Sequence, residues 1–111
     1  MVVDFEAVSQ IAKEYAADVS RQLPVDKAVL FGSYAAGCAQ KHSDIDICFF
    51  VKSFCGERRV DVAARILGLS GTKYSGAFFE PIVFETAEMH NGNPFVNEIL
   101  ATGIDLLQPT G

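Results

Sequence analysis

Apolar residues recur along this chain with two periods, and the changes between them mark out its elements. Phe5, Val8, Ile11, Ala12, Tyr15 and Val19 are spaced by three and four with charges between them. That spacing predicts an amphipathic helix over 4–22, ended by Pro24. Residues 27–31 form a short apolar strand broken by Gly32. Residues 34–38 suit a brief helical turn, followed by a polar loop through residue 43. The segment 44–51 reads as a strand that begins in alternation, with Asp44 and Asp46 on one face and Ile45 and Ile47 on the other. A second amphipathic helix over 57–69 runs through Val60, Ala63, Ala64 and Leu67, and 70–76 is read as a flexible connector. Residues 77–84 predict a third strand, in which Pro81 cannot donate to a ladder and so implies an edge or a bulge. A short helix over 95–101, stopped by Gly103, precedes a last short strand over 104–107. Strands alternating with helices predict an α/β or α+β class, with flanking helices on a small mixed sheet.

Composition narrows the setting. A chain of 111 residues has room for one domain, 1–111, and 50% hydrophobic residues with nine Phe supply its core. No stretch approaches the roughly 18 consecutive apolar residues of a membrane span. Asp4 and Glu6 stand where a signal peptide would be basic, so the expected location is cytoplasmic. The cysteines Cys38, Cys48 and Cys55 lack metal-ligand spacing and are read as reduced packing residues. A formal charge of −5, with only Arg58 and Arg59 adjacent, argues against an extended nucleic-acid surface. So greasy a small domain is expected to leave an apolar patch for self-association or a partner.

The candidate chemistry lies between residues 31 and 47. Gly32 and Ser33 follow a buried strand directly. A glycine there lets the backbone approach a phosphate, while N–H groups and the Ser33 hydroxyl donate to its oxygens. Asp44 and Asp46 project from one strand face with Cα atoms about 6.5–7 Å apart, a spacing that lets two carboxylates converge on hard cations. Asp is a poor strand former, and two like charges at the head of an apolar strand need a counter-ion. A solvated acid pair is the plain alternative for that feature alone. The combination Gly-Ser, ten residues, Asp-x-Asp arises by chance in a chain this long about once in a thousand.

That pattern, in its setting of strand, Gly-Ser, turn, loop and strand, resembles the DNA polymerase β-like nucleotidyltransferase superfamily. The match is nearest its minimal stand-alone members, commonly found beside a HEPN-domain partner. The run Ser43-Asp44-Ile45-Asp46-Ile47 is similar to the family's Ser-Asp-Ile-Asp-Leu, and residues 99–107 resemble its closing helix, glycine and strand. The resemblance implies a third carboxylate from a later strand. Glu80, isolated in an apolar strand, is the candidate; Glu85, five residues on and on the opposite face, is the competitor; absence of a third acid is the remaining option. Two departures stand out: Ala36 occupies a position where the family often has Arg, and Glu80 would replace the more usual Asp. Lys41 and His42 are solvated loop positions or phosphate contacts, Tyr34 serves packing or hydrogen bonding in the turn, and His90 is loop.

The resemblance implies that Asp44, Asp46 and Glu80 hold Mg²⁺, two ions in all, and that Gly32 and Ser33 seat the phosphates of ATP. The role it implies is an antitoxin that adenylylates a tyrosine of a HEPN toxin, since the sequence ends soon after its last strand without a second domain for an acceptor. A small-molecule nucleotidyltransferase of the aminoglycoside-modifying kind and a non-enzymatic protein acting by occlusion are the competing readings.

Overall fold

The computed structural model describes residues 5–32, 45–69 and 79–107. Helix α1 (Phe5–Gln22) is followed by strands β1 (Val25–Phe31) and β2 (Ile45–Val51), helix α2 (Arg59–Gly68) and strand β3 (Phe79–Glu85). A 3₁₀ helix (Thr86–His90), helix α3 (Pro94–Thr102) and the two-residue strand β4 (Ile104–Asp105) complete the order. The strands form one mixed sheet, β3-β2-β1-β4. β1 runs antiparallel to both β2 and β4, whereas β2 and β3 are parallel. This is the α+β architecture that the alternation of elements implied. The predicted turn at 34–38, the polar loop and the connector at 70–76 lie outside the described residues, as does Cys38.

Each strand divides its side chains between two cores. Leu30, Ile45, Ile47, Phe49, Phe79 and Val83 face α1 and α2, where they meet Val8, Ala12, Tyr15, Val19, Val62 and Ile66. Val29, Cys48, Phe50 and Phe84 face the other way, toward Val96 and Ile99 of α3. A central strand covered on both faces has to be apolar throughout, and β2 is so at every position but Asp46. Tyr15 ties the first core together. It stacks on Phe79 with ring centroids 4.2 Å apart, meets Phe49 edge-on and donates its hydroxyl to the Ile66 carbonyl. β3 is an edge strand, which is where Pro81 can be accommodated.

Local chemistry fixes the boundaries. Asn93 caps α3 by accepting from the Phe95 and Val96 amides, with Pro94 at the first helical position. Glu85 and Glu88 form a reciprocal capping box on the 3₁₀ helix, and Arg59 holds Glu88 with two hydrogen bonds. The reading of cysteines as packing residues holds for Cys48, whose thiol burial pushes up to about 12, with the nearby Glu88 carboxylate adding to the shift. It fails for Cys55, which is exposed with a φ of 53°. No described helix is long and apolar enough to cross a membrane.

Gly103 stops α3 for a different reason from the usual left-handed cap. Its φ is −80°, open to any residue. The need for glycine comes from close approach: a Cβ there would lie 2.2 Å from Val29 Cγ1, 2.7 Å from the Ile99 carbonyl oxygen and 2.9 Å from that of Leu30. Two of those neighbours are backbone and cannot swing away. Gly103→Ala is expected to cost about 3 kcal/mol by overpacking, read as a lower urea midpoint at unchanged slope.

Candidate active site

The sheet brings three of the sequence-predicted residues to one end. β1 finishes at Phe31, which pairs with Asp46 near the start of β2. Asp46 in turn pairs with Glu80 near the start of β3. Directly paired residues project to the same face, so Asp46 and Glu80 share the α3 side of the sheet on strands about 4.8 Å apart. Because β1 is antiparallel to β2 while β3 is parallel to it, the end of one strand and the beginnings of two others coincide there. Asp46 is half-buried and Glu80 exposed.

Gly32 completes the arrangement. It has a φ of +79°, which disfavours residues with a side chain. A Cβ at Gly32 would lie 2.2 Å from Asp46 Oδ2 and 3.1 Å from its Cγ. The carboxylate therefore rests against the bare Cα of the glycine, and Gly32 and Asp46 are in direct contact. Ser33 and Asp44 lie outside the described residues, as do Tyr34, Ala36, Lys41 and His42.

The two candidates for a third acid have separate fates. Glu85 pairs with Val51 and so lies on the opposite face from Glu80. Its carboxylate is engaged structurally, accepting from the Phe54 amide at 3.0 Å and within the capping box. Glu80 stands beside Asp46. Among the described residues no group of three His, Cys, Asp or Glu is placed to hold a metal. The pair Asp46 and Glu80 nonetheless offers hard carboxylate oxygens on one face, a donor set that fits a hard divalent cation. His90, exposed at the end of the 3₁₀ helix, belongs to no site.

One feature escaped the sequence reading. Phe95, Glu98, Ile99 and Thr102 form a single stripe of α3 and, with Phe31 and Gly32, line a cleft of about 180 Å³ next to the acids. The available signal was a Phe and a Glu sharing one helical face at intervals of three and four.

Comparison with known proteins establishes the family and the shared fold. The family model of the nucleotidyltransferase domain matches residues 12–100. MJ0141 of Methanocaldococcus jannaschii, an inferred protein adenylyltransferase, is 27% identical over 101 residues, covering 89% of this chain and 98% of that one. The fold is shared with an inferred nucleotidyltransferase from Sulfolobus solfataricus, at a TM-score of 0.63 and 22% identity over 91% of this chain and 80% of that one. It is shared also with a toxin–antitoxin crystal structure with AMP-PNP, at a TM-score of 0.57 and 16% identity over 88% and 74%. The chain belongs to the nucleotidyltransferase domain family.

Gly32→Ala tests the contact at the centre of the site. Strain at positive φ costs about 1–2 kcal/mol, and displacement of the Asp46 carboxylate adds to it. Thermal unfolding is expected at a temperature lower by roughly 5–15 °C.

Proposed function

We propose that this chain is the antitoxin of a HEPN toxin pair and transfers AMP from ATP to a tyrosine hydroxyl of that toxin. The observation that carries the reading is the meeting of Gly32, Asp46 and Glu80 at one end of the sheet, within a nucleotidyltransferase domain. The relative MJ0141 is named for protein adenylylation and is matched over nearly its whole length, which supports a protein acceptor. The choice of a HEPN toxin follows the resemblance of the Gly-Ser and Asp-x-Asp motif, and a toxin–antitoxin structure shares the fold.

The chain's own residues divide the work. Gly32 and Ser33 seat the β- and γ-phosphates through backbone and hydroxyl donors. Asp44, Asp46 and Glu80 would hold Mg²⁺, which when bound lowers the pKa of the acceptor hydroxyl and neutralises charge on the triphosphate. Glu80 accepts the hydroxyl's proton, directly or through water. The new bond forms between the tyrosine oxygen and the α-phosphorus, the α–β bridge bond breaks, and pyrophosphate leaves. The domain contributes position and electrostatics and makes no covalent intermediate.

A second reading, neutralisation by occlusion without transfer, draws on Ala36, where related sequences often carry Arg. One experiment separates the two: incubation with labelled ATP, Mg²⁺ and the product of the neighbouring gene, followed by intact mass. The expected result is one nucleotidyl unit on the partner. A partner that stays unmodified yet is neutralised, equally by the Asp44→Ala, Asp46→Ala double variant, would establish occlusion. A small acceptor modified by the isolated chain would establish the aminoglycoside-type alternative.

Within the transfer reading, Asp46→Asn keeps the side chain's size against Gly32 and is expected to lower the rate by about 10³-fold with the fold intact. Glu80→Gln should cost about 10²–10⁴-fold. Glu85→Gln should leave the rate alone and cost about 1 kcal/mol of stability through its capping role. Single-turnover transfer and chemical denaturation on the same three variants give both quantities.

A further inference from the structure

We propose that the cleft between Phe31 and α3 seats the base of the donor nucleotide, and that Glu98 selects bases carrying an exocyclic amino group. This rests on the nucleotidyl-transfer reading above and assigns a further part of the same site.

Size comes first. Sites that enclose a drug-sized ligand run to about 300–1,000 Å³. At about 180 Å³ the cleft accepts one flat ring system and leaves the rest of a nucleotide outside. Its walls suit such a ring. Phe95 is 45% exposed despite its size, and although it packs near-perpendicular to Phe31 with centroids 6.0 Å apart and tilted against Phe84, it keeps ring surface available to a flat ligand. Glu98 supplies the polar element. Its carboxylate takes no hydrogen bond or ion pair among the described residues, whereas the Thr102 hydroxyl already donates to the Glu98 carbonyl. A carboxylate can only accept, so it pairs with an exocyclic amino group of adenine, cytosine or guanine, whereas uracil offers it only N3–H between two carbonyl oxygens that it repels.

Position decides between donor and acceptor. Across the sheet the order is Glu80 on β3, Asp46 on β2 and Gly32 just past the end of β1. The attacking hydroxyl needs Glu80, whereas the phosphates need the Gly32 turn. The cleft lies on the Gly32 side and is lined by Gly32 itself, so it adjoins the donor.

The test is calorimetric titration of wild type, Phe95→Ala and Glu98→Gln with AMP-PNP, its uridine counterpart and inorganic tripolyphosphate, each with Mg²⁺. Wild type is expected to prefer the adenine compound about tenfold. Glu98→Gln, whose amide can donate as well as accept, should reduce that preference to about twofold or less. Phe95→Ala should weaken both nucleotides about tenfold and leave tripolyphosphate unchanged. Equal binding of all three ligands by wild type and variants overturns the base seat while leaving the phosphate site standing. Failure of wild type to bind any of them overturns the transfer reading as well. Unchanged nucleotide affinity in Phe95→Ala, with loss of partner modification, would hand the cleft to the acceptor and overturn the proposal.

Discussion

The seating of the Asp46 carboxylate against the bare Cα of Gly32 is the constraint from which the site follows. It requires a residue without a side chain at a positive φ, one position beyond the end of β1. It also requires β2 to lie in one register, with Asp46 opposite Phe31. A slip of one residue would carry Asp46 to the α1 and α2 face and turn Ile45 and Ile47 toward α3. Seven strand residues, six of them apolar and packed on one core or the other, prevent that slip. The greasy part of β2 thus decides where its single charge stands, and stability and chemistry are specified by the same alternation.

Connectivity does the rest. An antiparallel neighbour delivers its C-terminal end to the start of β2, and a parallel neighbour delivers its N-terminal end there. Gly32 and the acidic residues can therefore meet without any strand being bent. The crossover through α2 makes β3 parallel, and the packing of Val62 and Ile66 beneath the sheet holds that crossover in place. Tyr15 reinforces the arrangement by touching both acidic strands from below, through Phe49 and Phe79.

Much of this was legible in the sequence, for identifiable reasons. The first helix was readable because Val8, Ala12, Tyr15 and Val19 obey a period that survives folding. Helix α2 was placed correctly but its face was not: Val60 and Leu67, picked out by the pattern, are exposed, and Val62 and Ile66 are buried instead. Pro81 announced an edge because a missing N–H is a property of the residue itself. The facing of Asp46 and Glu80 was not legible. It depends on the pairing of strands 34 residues apart, and local patterning is silent about register between distant segments. Gly103 was recognised as a helix stop, but its cause is the crowding of Val29 and Leu30, which appears only in three dimensions. The 3₁₀ helix escaped because its support is a capping box and an arginine from α2, two weak signals until they are brought together. Cys55 was misjudged because buried and exposed cysteines look alike in a sequence.

Charge sets the remaining condition on how such a site can work. A chain of net charge −5 with an acidic pair at its proposed reaction centre opposes the approach of a triphosphate. A glycine turn offers donors to phosphate but only partial charges, too weak to reverse that field. Under the proposed transfer the compensation would come in with the nucleotide, as a divalent cation accompanying it, and the acids would then attract what they otherwise repel. On this account Asp46 and Glu80 do not bind nucleotide at all in the absence of the cation. The discrimination among nucleotides must then arise elsewhere, because phosphates and cation are common to all of them. Under the proposed base seat, that discrimination would fall to the cleft beside Gly32.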